Sequence, residues 1–198
     1  IDKDLIRFLK KTYGDRKNFN LIEKDILLYD PKELVRLNKL IGNIPYNIST
    51  PIIEWIIDNK SSFDEIFLML QKEFGERCVA QPNTKSYGRL SIFVQCFFDV
   101  TVIREVDKSS FTPSPKVQSI FLKLIPKVSD MTPNSLLMKN LSTLTREAFS
   151  KRRKLITNSL KSFFTEEDLV NLGIDRKSRP ENLSVETYIK LAKSIQSG

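Results

Sequence analysis

Leu37-Asn38-Lys39-Leu40-Ile41-Gly42-Asn43-Ile44-Pro45-Tyr46 is the stretch on which the fold turns. Its apolar run, Leu37 to Ile41, predicts a short buried strand over Leu37 to Gly42. Pro45 fixes φ and removes a backbone donor, so the strand stops there. Ser49 to Asn59 then has helical spacing, with Ser49 as N-cap and Pro51 in the first turn. Upstream, Asp2 to Lys11 carries a helical pattern (Leu5, Ile6, Leu9) that ends near Gly14. Asn20 to Glu23 reads as a short strand closed by Lys24-Asp25, followed by a turn at Asp30-Pro31. Downstream, Glu65 to Leu70 is a continuous apolar run of the kind buried on both faces of a parallel sheet. Lys72 to Val79 and Ser86 to Phe97 follow as helices, and Asp99 to Val106 and Gln118 to Ile125 as alternating strands. This order predicts an α/β fold, a mainly parallel sheet with helices on both faces. Only the Ser109–Pro115 loop separates the last two strands, so the sheet should end in an antiparallel pair.

The pattern changes after Pro126. Residues 127–134 are polar and read as a linker; beyond them only helical patterns occur, at Leu136–Phe149, Arg153–Phe163, Glu166–Asn171 and Val185–Ile195. Two domains are expected, 1–126 and 127–198. The second is small and all-helical, too small for a large core of its own, and should lean on the first.

Composition narrows the chemistry. The 198 residues are 40% hydrophobic and 28% charged, the profile of an ordinary globular protein. The net charge of +8 favours a polyanionic partner, although an AT-rich genome would also enrich Lys, Asn and Ile. There is no histidine, which removes Ser-His and Cys-His nucleophilic schemes and the commonest general base. Cys78 and Cys96 stand outside any C-x-x-C, so a structural zinc site is excluded. Both read as small buried hydrophobes of a reducing cytosol. No apolar run reaches the length of a membrane span. Chemistry that moves few protons remains.

Asn43-Ile44-Pro45-Tyr46 suits such chemistry. The Asn43 side-chain carbonyl can accept a hydrogen bond from the exocyclic amine of a base, and main-chain carbonyls at Ile44 or Pro45 can accept another. Tyr46 can stack on the ring. The same four residues also suit a plain strand-to-helix turn.

Further segments accompany the four: Gln71-Lys72-Glu73; Tyr87-Gly88-Arg89-Leu90-Ser91 leading to Gln95; Phe111-Thr112-Pro113-Ser114-Pro115-Lys116-Val117-Gln118-Ser119, ending in Leu124-Ile125-Pro126; Arg152-Arg153-Lys154; and Arg179-Pro180-Glu181-Asn182-Leu183-Ser184. In this order and spacing, over nearly the whole chain, the set resembles the KsgA-type ribosomal RNA adenine dimethyltransferases. The resemblance implies a Rossmann-like S-adenosylmethionine-dependent methyltransferase fold followed by the helical domain. It implies transfer of two methyls to each of two adjacent adenosines near the 3′ end of small-subunit rRNA during ribosome biogenesis. The implied enzyme is a cytoplasmic monomer acting on the immature small subunit, with no metal and no membrane. Two alternatives stand beside it: a large-subunit rRNA adenine methyltransferase conferring macrolide resistance, and a non-catalytic RNA-binding assembly factor on the same fold.

One departure is large. Those enzymes begin with a strand, a glycine-rich loop and an acidic residue that hold S-adenosylmethionine. The six glycines here form no G-x-G cluster, and Ile1-Asp2 looks like the segment just after the ribose-binding Glu. The expectation is an N-terminally truncated methyltransferase domain, inactive as given, from a natural protein several dozen residues longer.

The remaining site residues follow. Asp25 ends a predicted strand, where open α/β sheets form their ligand crevice. It reads either as a solvated turn residue, with Asp30 an equal competitor, or as the acceptor for the adenine of the methyl donor, which the resemblance favours. Ile26 could pack on that purine. Asn43, Ile44, Pro45, Tyr46 and Phe111 are the expected catalytic pocket, Phe111 being a stacking ring or a strand-end core aromatic. Lys116, Arg146, Lys151, Arg152, Arg153 and Lys154 are the expected phosphate contacts, the alternative being solvated lysines and a solvated helix face. Lys72-Glu73, Arg77, Lys85 and Arg89 lie around the other predicted helices and stay open between RNA contact and structural ion pairs.

Overall fold

A computed structural model describes residues 2–31, 39–128 and 135–195. The chain divides into two compact units, Ile1–Val35 and Arg36–Gly198.

In the first unit, helix α1 (Lys3–Tyr13) starts at Asp2, whose carboxylate accepts the backbone N–H groups of Asp4 and Leu5. Tyr13 packs on Phe19, and the Arg16 guanidinium lies over the Tyr13 ring. The strand expected at Asn20–Glu23 does not form. Four residues make a strand only when a neighbour supplies a hydrogen-bond ladder, and among the described residues none pairs with them. A short 3₁₀ turn, Ile26–Leu28, follows Asp25.

The second unit holds a sheet of β1 (Lys39–Asn43), β2 (Glu65–Gln71), β3 (Phe98–Val106) and β4 (Ser119–Pro126), in the spatial order β1-β2-β4-β3. Residues 37 and 38 of the first predicted strand lie outside the described residues. β1 and β2 are parallel, and β4 is antiparallel to both of its neighbours. Three strands therefore run one way, and β4 alone runs back between β2 and β3. The antiparallel pair is as expected, but its last strand lies inside the sheet and makes the ladder mixed. Helices α2 (Ser49–Asp58), α3 (Lys72–Val79) and α4 (Arg89–Phe97) sit in the connections. Ser49 does not cap α2 as expected. It is the first helical residue, and its hydroxyl donates back to the Tyr46 carbonyl at 3.0 Å.

The register builds the core. Ile66 faces Leu124, Leu68 faces Leu122 and Leu70 faces Ile120, all six buried on one sheet face. Helix α3 comes close to this face through Gly75, where a Cβ would lie 2.1 Å from Ile120 Cγ2. The opposite face is only half-buried, which corrects the expectation of burial on both sides. There Phe67 stacks on Phe121 at 6.2 Å between centroids, and the Lys123 ammonium lies over Phe67. Glu65 pairs on that face with Lys123 and, at 2.8 Å, with Lys39. Glu65 is charged and ion-paired, so the apolar run is continuous only from Ile66 onward, and β2 alternates buried and half-buried residues along its length.

Beyond residue 135, α5 (Leu136–Ser150), α6 (Ile156–Ser159), α7 (Glu166–Asn171) and α8 (Val185–Ser194) follow. The helix expected over Arg153–Phe163 shrinks to α6, with Arg152–Lys154 in the turn before it. α5 and α8 pack together, and both touch α4. The buried Tyr87 hydroxyl donates to the Leu183 carbonyl, and Phe149 contacts the rings of Tyr87 and Tyr188.

Hydrogen bonds from Lys123 and Lys39 pull the Glu65 carboxyl down to about 2 from 4.5. A lowered carboxyl stabilises the fold above its unfolded value, and that contribution is lost as pH falls through the folded one. Acid denaturation of Glu65→Gln should therefore show a flatter stability-versus-pH curve between pH 4.5 and about 2 than the parent. Equal slopes in circular dichroism titrations would show that the pair contributes nothing.

Candidate active site

β1 ends at Asn43, and the Ile44 N–H continues the ladder by donating to the Met69 carbonyl at 3.1 Å. Pro45 stops it, and Tyr46–Ile48 turns as a short 3₁₀ segment into α2. The Tyr46 hydroxyl shares a hydrogen bond of 2.7 Å with the Ser119 hydroxyl at the start of β4.

The second wall comes from the loop between β3 and β4. Asp107 accepts the Ser109 N–H, and the Ser114 hydroxyl donates to the Lys108 carbonyl. The Ser109 amide holds the Asp107 carboxyl below the usual carboxylate range. These bonds shape the segment that carries Phe111, Pro113 and Pro115. Asn43, Ile44, Pro45 and Tyr46 meet Phe111, Pro113 and Pro115 around one open cleft of about 250 Å³. All five residues expected in the catalytic pocket are thus brought together. The volume lies below the range of drug-sized ligand pockets and suits a single planar base.

Asp25 and Ile26 lie in the first unit. One Asp25 carboxylate oxygen accepts the Leu27 N–H at 3.0 Å, and Ile26 beside it is exposed. A carboxylate and an apolar side chain side by side suit the amine and ring of an adenine.

The basic residues separate into two groups. Lys116, Arg146, Arg153 and Lys154 are exposed and form no ion pair among the described residues. Lys151 pairs with Glu147 one helical turn away. Arg152 is engaged within the chain: Nε donates to Glu181, Nη1 to the Lys85 carbonyl at 3.0 Å and Nη2 to the Thr84 carbonyl at 3.1 Å. It ties the loop before α4 to the segment before α8. Beside it, Arg77, Lys85 and Arg89 line a cleft of about 570 Å³ with Glu73, Tyr87 and Phe149. None of these three cations is in an ion pair among the described residues, so the groove is a ready anion site. Folding gathers it from α3, α4 and α5, so linear spacing showed only scattered charges.

The family described as ribosomal RNA adenine dimethylase matches residues 1–197. The chain belongs to that family. It is 40% identical over 202 residues to ribosomal RNA small subunit methyltransferase A of Yersinia enterocolitica, covering 100% of this chain and 74% of that protein. The protein of the same name from Dechloromonas aromatica is 39% identical, with 98% and 76% covered. Among solved structures, a dimethyladenosine transferase from Plasmodium falciparum superposes with a TM-score of 0.78 at 29% identity, over 96% of this chain and 78% of that one. The 23S rRNA methyltransferase ErmE gives 0.72 at 21% identity, over 98% and 79%, a likeness of fold. The fold is thus the α/β fold of the dimethyladenosine transferases, and the chain spans about three quarters of its relatives' length.

Ribosomal RNA adenine dimethylases use S-adenosylmethionine as methyl donor.

Arg152→Ala removes three hydrogen bonds from a half-exposed site. The expected cost is about 1–2 kcal/mol in urea denaturation, with m unchanged. An unchanged midpoint would mean that the tie carries no stability.

Proposed function

We propose that this protein transfers methyl groups to the exocyclic amines of two adjacent adenosines near the 3′ end of small-subunit rRNA, giving dimethyladenosine, during assembly of the small subunit in the cytoplasm. The observation that carries this reading is the cleft in which Asn43–Tyr46 faces Phe111, Pro113 and Pro115.

An adenine amine is a weak nucleophile because its lone pair is delocalised into the ring. For the first methyl, Asn43 and a main-chain carbonyl at Ile44 or Pro45 accept its two N–H hydrogens and localise the lone pair on nitrogen; for the second, one N–H remains to be accepted. Tyr46 and Phe111 hold the ring between them after it leaves its stack. S-adenosylmethionine, when bound, would supply an electrophilic methyl on a sulfonium: the C–N bond forms as the C–S bond breaks, the sulfur leaves as a neutral thioether, and the charged amine then gives up a proton to water. The gain from the protein is positioning and fixed dipoles around the charge that develops on nitrogen. No general base is needed to start the step, in keeping with a chain that has no histidine.

Arg77, Lys85 and Arg89 in the groove, with Lys116, Arg146, Lys151, Arg153 and Lys154, hold the RNA backbone, and Arg152 keeps the groove wall in place. Residues 1–126 act as the catalytic part and 127–198 as the helical part, in a monomer.

Asn43→Ala in the complete protein tests the reading. Methyl transfer to small-subunit rRNA should fall by about 10²-fold or more, the loss seen when one fixed dipole at a reacting centre is removed. RNA affinity should stay within about twofold. Unchanged methylation would remove Asn43 from the reaction.

A further inference from the structure

We propose that Ser119 is a positioning residue for Tyr46, and that the hydrogen bond between their hydroxyls holds the Tyr46 ring in place in the cleft. The inference rests on the adenine-binding reading above and adds to it a residue with no part in the chemistry itself.

Ser119 is fully buried, the first residue of β4, and is held from both sides: it faces Gln71 of β2 and Val106 of β3. Its backbone is therefore paired on both sides at the end of the two ladders. The loop that carries Phe111, Pro113 and Pro115 runs directly into it. Its side chain reaches the other wall, where its Oγ lies 2.7 Å from the Tyr46 hydroxyl oxygen. One short side chain thus joins the loop wall to the Asn43–Tyr46 wall.

The bond acts on the far end of the Tyr46 ring. A tyrosine rotates about two side-chain torsions, and the second is broad. Fixing the hydroxyl oxygen restricts the first torsion, which sets where the ring lies, and leaves the ring face for stacking; rotation about the second torsion does not move that oxygen. The Tyr46 side chain has no other hydrogen bond among the described residues. Both walls have a second anchor in the backbone, since Ile44 donates to Met69 and Lys72 donates to the Gln118 carbonyl. Loss of the Ser119 hydroxyl should therefore loosen the ring while β1, β2 and β4 stay paired.

The test uses a substrate RNA hairpin carrying 2-aminopurine at a target adenosine, with saturating S-adenosylhomocysteine and the complete protein. Fluorescence reports docking of the base, and filter binding reports RNA affinity. Ser119→Ala should lower the docking equilibrium about fivefold, the worth of one neutral hydrogen bond, with RNA affinity within about twofold. Tyr46→Phe breaks the same bond from the other end and should give the same loss. The double variant should be no worse than either single one. Ser119→Thr, which keeps the hydroxyl, should recover most of the signal. Unchanged docking in both single variants, or additive losses in the double, would overturn the tether. A parent protein that docks no base would overturn the adenine reading and the tether together, whereas parent docking with unaffected variants overturns the tether alone.

Discussion

The reversed strand β4 is the constraint on which this structure depends. It pairs with β2 from Ile66↔Leu124 to Gln71↔Ser119, and with β3 from Phe98↔Pro126 to Val106↔Ser119. The Leu68–Leu122 and Leu70–Ile120 contacts at the centre of that ladder form the floor against which Gly75 brings α3. Because β4 runs antiparallel, its first residue lies beside the last residues of β2 and β3. The loop that precedes it must then lie at the edge where β1, β2 and β3 all end. Asn43 ends β1 at that same edge, opposite Met69. The cleft is a consequence of strand direction before it is a consequence of any single side chain.

This explains the division of labour along the chain. Strand carboxyl ends collect the polar groups that an open α/β sheet cannot cover. Pro45 and the prolines of the opposite loop keep donors out of the cleft, so that acceptors dominate beside the Asn43 amide. Apart from Lys116 next to Pro115, the basic candidates lie in the groove of Arg77, Lys85 and Arg89 and on α5 and the turn after it.

Much of this was legible in the sequence, for physical reasons that differ by residue. Strands β2 and β4 and helices α3 and α7 show at nearly their true limits, because hydrophobic period and flanking polar residues agree there. The pocket residues Asn43, Ile44, Pro45, Tyr46 and Phe111 were legible because their order resembles a known family, and folding does bring them together. Placement of β4 inside the sheet was not legible, since alternation reports burial of a strand and says nothing of its neighbours. Asn20–Glu23 shows the converse: local composition favoured a strand, and no ladder partner exists for it among the described residues. The engagement of Arg152 with Glu181 and with Thr84 and Lys85, and of Ser119 with Tyr46, joins residues 29 to 73 positions apart. Contacts of that range leave no spacing signal.

The central claim is that the cleft presents an adenine amine for methylation. The most direct measurement is nucleoside mass spectrometry of rRNA after the complete protein has acted on immature small subunits with S-adenosylmethionine. The account predicts dimethyladenosine confined to two adjacent adenosines of the small-subunit rRNA. Methyl groups on another base, on ribose or on large-subunit rRNA alone would contradict it.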